Sequence, residues 1–233
     1  MTMHVLVIDV GGTHVKMLAT GHARHRQFDS GPTLTPADMV AKVLTVVSGW
    51  TFDRVSIGYP GPVLHDHPVA EPHNLARGWI DFDYVKAFGC PVRMVNDAAM
   101  QALGSYHGGK TLFLGLGTGL GSALIVDRML VPMELAHLPY RNGTFEDYVG
   151  LRGLVKHGKT KWRAYVEDVV DRLIHALLAE DVVLGGGNAK LLKSLPPACR
   201  LGSNADAFVG GFRLWDKTHR HATAARHRKG TAA

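Results

Sequence analysis

The chain has 233 residues, of which 46% are hydrophobic and 20% charged, and its formal net charge is +6 at pH 7. This composition is typical of a globular protein and excludes a chain that is disordered along most of its length. No apolar run reaches the ~18 residues that a transmembrane helix needs, so no membrane span is predicted.

The positive charge is concentrated at the C-terminus. Residues 217–233 contain five basic side chains and no acidic one: Lys217, Arg220, Arg226, Arg228 and Lys229. Without these five the chain has 21 basic and 20 acidic residues, so the rest of the protein is nearly neutral. We predict that 217–233 is a disordered, solvated tail, with polyanion binding as the alternative.

The cysteines and the N-terminus favour a cytoplasmic protein. Cys90 and Cys199 are far apart in sequence, which fits two free thiols in a reducing compartment. The first predicted strand begins near residue 5, which leaves no room for a signal peptide.

In chain order, the first half alternates strands and helices. Thr35 and Pro36 have the residue types of a helix cap and first turn, and apolar residues then recur at helical spacing. The segment 64–80 has the composition of a loop. The predicted strands are Val5–Ile8, Val15–Ala19, His25–Phe28, Val55–Gly58 and Val92–Val95, and two further helices cover Phe82–Phe88 and Ala98–Ser105.

The second half begins with a predicted hairpin, Thr111–Leu116 and Ser122–Val126, around a glycine-rich turn. The clearest helix covers Lys161–Ala179, where large apolar residues occupy one face. A short buried strand at Val182–Val183 follows. The alternation of strands and helices predicts an α/β protein.

Two segments match the P-loop pattern by spacing alone, Gly104–Thr111 and Gly153–Thr160. A P-loop follows a strand and opens a helix. The first match follows a predicted helix and opens a strand, and the second has no strand before it. Neither is predicted to bind a nucleotide.

The most informative segment follows the first strand and reads Asp-Val-Gly-Gly-Thr-His-Val-Lys over Asp9–Lys16. Backbone N–H groups can approach a phosphate closely at Gly11 and Gly12, because glycine has no Cβ. Thr13 and Lys16 add a hydroxyl and a cation, and Asp9 can hold Mg²⁺ through water. The alternative is an ordinary glycine-rich hairpin turn.

Other chemistry-bearing segments follow in order along the chain. Asn96-Asp97 ends a strand and precedes a helix, so it is either a catalytic pair or a helix cap. The glycine-rich run Gly115–Gly121, the polar pair Glu134 and His137, and the turn Gly185–Gly187 come next. A polar loop is the alternative for Glu134 and His137, and a tight turn after a buried strand is the alternative for Gly185–Gly187.

This order of motifs resembles the ROK family of sugar kinases, and within it the polyphosphate glucokinase branch. The branch-like segments include Gly58–Val63, Leu130–Pro132, Phe145–Asp147, Gly186–Lys190 and Gly210–Trp215. The resemblance covers about residue 5 to Trp215. It implies an actin-like, ribonuclease H-like fold of two lobes with the substrates in the cleft between them.

The resemblance also implies a domain division. The first lobe would comprise 1–108, completed by the segment near 205–216, and the second lobe 109–204. The common state of the family is a homodimer. Many members hold Zn²⁺ with one histidine and three cysteines, and this chain has no cysteine between Cys90 and Cys199, so no zinc site is predicted.

The predicted activity is transfer of a phosphoryl group from polyphosphate or ATP, with Mg²⁺, to the 6-hydroxyl of glucose or a related hexose. Asp97 is the predicted general base, since phosphoryl transfer needs a group that accepts the hydroxyl proton. The residues predicted to bind the sugar are Asn96, Glu134, His137 and Glu146, with Gly61 and Asn74 lining the pocket. The residues predicted to bind metal and donor phosphates are Asp9, Gly11, Gly12, Thr13, Lys16, Gly117, Thr118, Gly119, Gly185, Gly186 and Gly187.

Two residues depart from the family pattern. Ala99 stands where the family usually has aspartate, and Ala136 where it usually has glycine. If that glycine position required a positive φ, alanine would strain the backbone there. These departures motivate the alternative of a catalytically weak sugar sensor with the same fold. Binding of nucleic acid through the tail is not expected, because the rest of the chain is nearly neutral.

Overall fold

The computed structural model describes residues 3–203 and 205–216, and the backbone of Arg220–His221. None of the helices in these residues is both long enough and apolar enough to cross a membrane. The chain alternates strands and helices as the sequence predicts, and it forms two large sheets.

The first sheet has five strands in the order β3-β2-β1-β4-β7. Strand β1 pairs with β2 antiparallel and with β4 parallel, and β4 pairs with β7 parallel. Its elements, with the helices between them, are β1 (Val5–Val10), β2 (His14–Ala19), β3 (Arg26–Asp29), α1 (Pro36–Val46), β4 (Arg54–Tyr59), β5 (Val63–Leu64), β6 (His67–Pro68), α2 (Tyr84–Phe88) and β7 (Val92–Asn96).

The second sheet has six strands in the order β14-β13-β8-β9-β10-β15. The helix α3 leads into it, and α6 follows its strand β14. These elements are α3 (Asp97–Ser105), β8 (Lys110–Leu116), β9 (Leu120–Val126), β10 (Met129–Met133), β11 (Pro139–Tyr140), β12 (Gly143–Thr144), α4 (Phe145–Val149), α5 (Leu151–Leu177), β13 (Asp181–Gly185), the 3-10 helix η1 (Ala189–Leu191), β14 (Cys199–Leu201), α6 (Asp206–Arg213) and β15 (Arg220–His221).

The longest helix differs from the prediction at its start. The sequence predicts a helix over Lys161–Ala179, whereas α5 begins at Leu151 and has a non-helical residue at Gly158 (φ 73°, ψ 163°). The break separates a short basic segment from the amphipathic segment, so the helical periodicity is visible only after it. The P-loop match at Gly153–Thr160 therefore lies inside a helix, and the match at Gly104–Thr111 runs from α3 into β8.

Two residues of the predicted disordered tail differ from that prediction. Arg220–His221 form a short strand that pairs parallel with β10. The remaining residues of the predicted tail, 217–219 and 222–233, lie outside the described part of the chain. Just before them, the guanidinium groups of Arg54 and Arg93 lie over the Trp215 ring, 5.0 and 4.5 Å from its centroid.

Three hydrophobic clusters form the core. The first lies between the first sheet and α1, and the second between the second sheet, α4 and α5. The third joins the two halves, because it contains Val7 of β1, Phe113 of β8 and apolar residues of α3 and α6. The helices α3 and α6 therefore lie between the two sheets.

The crossing of α3 and α6 is close because glycine stands at the contact on each helix. A Cβ atom on Gly104 would overlap the carbonyl oxygen of Asp206, and one on Gly210 would overlap the carbonyl oxygen of Met100. Since real Cβ atoms cannot overlap backbone atoms, larger residues would force the helices apart. The double glycine Gly210-Gly211 is thus explained by packing, although it weakens the intrinsic helix propensity of this segment.

Candidate active site

The first turn of α3 stands at the edge where parallel strands of the first sheet end. In the strand register, Asp9 of β1 pairs with Gly58 of β4, and Tyr59 of β4 pairs with Asn96 of β7. Asp97 follows as the first residue of α3. This register places Asp9 and Asp97 at the same edge, as expected for the carboxyl ends of neighbouring parallel strands in open α/β sheets.

Asn96 is the helix cap. Its Oδ1 accepts hydrogen bonds from the backbone N–H groups of Ala98 (2.9 Å) and Ala99 (3.3 Å). Its Nδ2 donates to the carbonyl oxygen of Gly61 at 3.0 Å. The two interpretations of Asn96-Asp97 are therefore compatible, because Asn96 caps the helix and leaves the next carboxylate at the sheet edge.

Glycines from both sheets make room for this turn. A Cβ atom on Gly121 of β9 would lie 2.7 Å from the Ala98 methyl group. A Cβ atom on Gly58 of β4 would overlap the Met100 side chain and lie 3.5 Å from the Asp97 Cα. The first turn of α3, which carries the candidate base, is thus packed against the first sheet at Gly58 and against the second sheet at Gly121.

The electrostatics of Asp97 are unusual for a carboxyl group. Burial, followed by the nearby charges of Asp9 and Glu134, raises its pKa from 3.8 to about 7, against the lowering effect of the Ala98 N–H. Burial also raises the pKa of Asp9, and Lys16 opposes this shift. A carboxyl group with a pKa near 7 is suited to accept a proton at neutral pH.

The first glycine-rich turn is held from the neighbouring hairpin strand. The Gly11 N–H donates to the His14 carbonyl oxygen at 2.9 Å, which closes the turn. Ser30, just after β3, donates a hydrogen bond from its Oγ to the Gly11 carbonyl oxygen at 2.6 Å. Its backbone N–H donates to the Thr13 carbonyl oxygen at 2.9 Å. Sequence reasoning missed Ser30, because a serine after a predicted strand has no distinguishing pattern.

Asn74 lies against this same turn. A Cβ atom on Gly12 would be 3.3 Å from the Asn74 Cβ. The loop that carries Asn74 is closed by Glu71, whose two carboxylate oxygens accept hydrogen bonds from the N–H groups of Gly78 (3.0 Å) and Trp79 (3.2 Å). Asn74, which is predicted to line the sugar pocket, is thus a neighbour of the turn that is predicted to bind phosphates.

Glu134 and His137 lie in an irregular loop after β10, as Pro132 indicated, and both are exposed. Desolvation raises the pKa of the Glu134 carboxyl group, while His137 lowers it and Glu146 raises it. The loop is fixed to α4 by a hydrogen bond from the Glu146 N–H to the Ala136 carbonyl oxygen, 3.0 Å long. The three predicted sugar-binding side chains are therefore brought together.

The two departures from the family pattern cause no visible distortion. Ala136 is not among the residues with positive φ, so alanine is not strained there. Ala99 is fully buried in the cluster between the two sheets. A charged side chain at that position would be removed from water, and alanine avoids this cost.

The second glycine-rich turn has its tip at Gly117–Gly119, since Gly115 and Gly121 pair within the hairpin. Asn188 holds this tip, because its Nδ2 donates to the Gly117 carbonyl oxygen at 3.0 Å. The N–H of Leu151, at the start of α5, donates to the carbonyl oxygens of Gly117 and Thr118, both at 3.1 Å. Sequence reasoning included Asn188 in a motif but gave it no role.

The third glycine segment is only partly open. Gly185 is buried at the end of β13, and a Cβ atom there would lie 2.5 Å from the Phe113 ring. Gly186 has φ +80°, and a Cβ atom there would meet the Leu116 backbone. Gly187 is exposed with open space around it, so it is the member of this segment best placed for a ligand.

Glu146, one of the predicted sugar-binding residues, also contacts the second glycine-rich turn. Glu146 accepts a hydrogen bond at Oε2 from the Leu120 N–H at 3.3 Å, and a Cβ atom on Gly119 would overlap this oxygen.

Within the described residues, no three His, Cys, Asp or Glu side chains form a group that could hold a metal ion. Asp9 and Asp97 are the carboxylates at the centre of the site, and Mg²⁺ typically uses one or two carboxylates together with substrate phosphates. This donor set therefore fits Mg²⁺.

The chain is similar to known proteins over most of its length. The model of the ROK family matches residues 5–132. A polyphosphate glucokinase of Mycobacterium tuberculosis is 28% identical over 207 residues, which cover 79% of this chain and 77% of that protein. A glucokinase of Pyrobaculum calidifontis is 30% identical over 138 residues, which cover 54% of this chain and 44% of that protein.

Among solved structures, the inorganic polyphosphate/ATP-glucomannokinase of Arthrobacter sp. strain KM matches with a TM-score of 0.77 and 23% identity, over 90% of this chain and 97% of that one. A ROK family glucokinase of Streptomyces griseus, in complex with glucose and AMPPNP, matches with a TM-score of 0.74 and 17% identity, over 91% and 98% of the two chains. The chain belongs to the ROK family and has the two-lobed α/β fold of its sugar kinases.

Proposed function

We propose that this ROK family chain is a hexose kinase that transfers a phosphoryl group from polyphosphate or ATP to the 6-hydroxyl of glucose or a related hexose. The observation that carries the proposal is the carboxyl group of Asp97 at the sheet edge, with its pKa raised to about 7. Around it lie two glycine-rich turns and three polar side chains of the kind that bind a sugar. The relatives' names, polyphosphate glucokinase and glucokinase, support a hexose acceptor.

In this proposal Asp97 accepts the proton of the sugar hydroxyl as the phosphoryl group transfers. A base is required because a hydroxyl group is a poor nucleophile until its proton leaves. The pKa near 7 gives Asp97 enough proton affinity to act, while much of it remains ionised at neutral pH. Capping of α3 by Asn96 and packing against Gly58 and Gly121 fix its position.

Mg²⁺ would be held by Asp9, with Asp97 close by, and would neutralise the charge of the donor phosphates. The backbone N–H groups of Gly12 and Thr13 on one side, and those of the tip Gly117–Gly119 on the other, would bind phosphate oxygens. Lys16, opposite Asp9 in the hairpin register, adds a positive charge to this side of the site.

Glu134, His137 and Glu146 would hydrogen-bond hydroxyl groups of the sugar. Carboxylates accept from hydroxyl groups, and an imidazole can donate or accept, so this set can orient a pyranose ring. Asn96 has one Nδ2 proton beyond the bond to Gly61, and Asn74 lies against the first turn at Gly12. The unstrained Ala136 and the apolar setting of Ala99 give no support to a catalytically weak sensor.

The test is direct assay of glucose 6-phosphate with Mg²⁺, glucose and either ATP or long-chain polyphosphate. We expect product from the wild-type chain with at least one donor, and product formation by Asp97→Asn that is slower by orders of magnitude. Asp171→Asn, a carboxylate-to-amide change on an exposed face of α5, is the matched control and retains activity.

Absence of product with both donors and with other hexoses would overturn the proposed function. Normal turnover by Asp97→Asn would overturn the assignment of the base. Measurement of donor consumption with mannose or glucosamine in place of glucose identifies the acceptor.

A further inference from the structure

We infer that three exposed lysines bind the distal phosphates of a linear inorganic polyphosphate chain: Lys159 of α5, Lys190 of η1 and Lys193. They lie on the two segments that contact the second glycine-rich turn through Leu151 and Asn188. We call these three residues the lysine surface. The inference rests on the proposed function and deepens it, since it assigns the donor subsite and favours polyphosphate as the donor.

The first support is the distribution of charge along the chain. Residues 148–166 contain no acidic residue, and residues 182–205 contain none either. The acids of α5 begin at Glu167 and continue with Asp168 and Asp171, which line a separate groove together with Pro196–Ala198. The helix α5 is therefore basic in the part that starts at the glycine-rich turn and acidic further along.

The second support is the connection of both basic segments to the turn. The start of α5 donates from the Leu151 N–H to Gly117 and Thr118, and Asn188, two residues before Lys190, donates to Gly117. The two segments also meet each other, because the Arg163 Nε donates to the Leu191 carbonyl oxygen at 2.7 Å. A chain of phosphates that extends outward from the turn would thus meet segments that carry lysines.

Helical geometry places Lys159 on the side of α5 that faces η1. Lys159 and Arg163 are four residues apart in the helical part of α5, so they share a face. Lys161 is two residues from each and points roughly 200° around the helix from them. Lys161 is therefore a control on the same helix, with the same charge and a different direction.

The third support is that these charges are not neutralised by the protein. Among the described residues, Lys159, Lys190 and Lys193 form no salt bridge, whereas the nearby Arg152 and Arg200 are paired with Asp147 and Asp181. Unpaired lysines on an open surface suit a flexible polyanion whose phosphates all carry charge. A nucleotide donor offers only three phosphates, which the glycine-rich turns can bind without the lysine surface.

The experiment compares two triple variants of the full chain that remove equal charge. Lys159→Gln/Lys190→Gln/Lys193→Gln removes the lysine surface, and Lys42→Gln/Lys86→Gln/Lys161→Gln removes three exposed lysines elsewhere. Binding of end-labelled long-chain polyphosphate is measured by fluorescence anisotropy at several salt concentrations. Thermal denaturation checks that both variants are folded.

We expect the first variant to lose at least tenfold in polyphosphate affinity, with a smaller salt dependence, and the control to stay within about twofold of wild type. In the kinase assay, the KM for long-chain polyphosphate rises correspondingly, and kcat and the KM for glucose do not change. Equal losses in both variants would overturn the inference, because they would report only net charge.

Two further outcomes separate the two proposals. Production of glucose 6-phosphate from ATP alone, with no polyphosphate binding, would overturn the inference and leave the proposed function standing. Specific binding at the lysine surface without kinase activity on any sugar would support the site and overturn the function. Equal binding of single-stranded RNA, lost in the same variant, would overturn polyphosphate as the particular occupant.

Discussion

The two halves of the molecule repeat one topology but differ in chemistry. The first sheet has the order β3-β2-β1-β4-β7, and the second has the corresponding order β10-β9-β8-β13-β14, with β15 added at one edge. The pairings agree at each step, antiparallel for the hairpin strands and parallel for the others. In each half the last of these strands leads to a helix, α3 or α6.

The helices differ in the carboxylate at their start. Asp97 of α3 is surrounded by Asp9, Glu134 and the protein interior, and its pKa is raised. Asp206 of α6 instead accepts a hydrogen bond from the nearby Ser203 N–H at 2.7 Å, a local contact on the exposed side. One topology has thus provided a candidate base in the first half and an ordinary helix start in the second.

The largest expected effect tests this difference directly. Asp97→Asn should lower kcat by ~10²–10⁴, the usual range for loss of a general base, because an amide cannot accept the hydroxyl proton. Asp206→Asn should leave kcat within about threefold of wild type. Steady-state kinetics of both variants measure kcat. A similar loss of kcat in the two variants would contradict the difference between the helix starts of the two halves.

The next effect concerns the contact that joins the halves. Gly210→Ala should destabilise the fold by about 3 kcal/mol, because the new methyl group overlaps the Met100 carbonyl oxygen and the helices must separate. Urea denaturation measures the free energy of unfolding. Gly187→Ala is the control, since a Cβ atom there meets nothing within 4 Å, and equal stability of the two variants would contradict the close crossing.

The pH dependence of activity tests the raised pKa of Asp97 in the first half. With a pKa of about 7 in the folded protein, Asp97 must lose its proton to act as base, so kcat/KM should fall about tenfold per pH unit well below that value. Rate profiles between pH 5 and 9 would test this. The absence of an inflection between pH 6 and 8 would contradict the raised pKa.

The same shift has a consequence for stability. Between the ordinary pKa of 3.8 and about 7, the folded chain holds the Asp97 proton and the unfolded chain does not, so Asp97 lowers stability as pH rises through this range. Asp97→Asn should therefore have a higher Tm than wild type at pH 8 and a smaller advantage at pH 5.

The smallest effect compares the side chains that hold the two glycine-rich turns. Asn188→Ala removes one hydrogen bond to Gly117, worth about 1 kcal/mol, and should raise the donor KM about fivefold with little change in the glucose KM. Ser30→Ala removes the corresponding bond to Gly11 and should mainly lower kcat, since that turn follows Asp9. If Asn188→Ala changed the glucose KM as much as the donor KM, the turn would not be specific to the donor.

Much of the first half could be predicted from the sequence, because its local signals agree with one another. The strands β1, β2, β4 and β7 are apolar runs that end in turn residues, and Thr35 caps α1 with a hydrogen bond from the Asp38 N–H. The family resemblance and the α/β fold are confirmed. The roles of the individual site residues remain predictions.

The second half was harder to predict for identifiable reasons. The start of α5 is hidden by Gly153, Gly158 and a run of basic residues, which give no apolar periodicity. The helix α6 contains Gly210-Gly211, which argues against a helix by propensity alone. The repeat of topology leaves no visible repeat of residues, and the turn-holding roles of Ser30 and Asn188 depend on contacts distant in sequence.

The position of α3 has a consequence for any motion between the lobes. Its first turn touches Gly58 of one sheet and Gly121 of the other, and further along it crosses α6 with little side-chain material between the backbones. If the cleft opens and closes by rotation of the sheets, the rotation axis passes near this helix. Points near an axis move least, so Asp97 would stay almost stationary. The loop that carries Glu134 and His137, and the glycine-rich turns, would move toward it. Closure would then carry both substrates to a stationary candidate base, and the protein could be mobile without losing alignment at that carboxyl group.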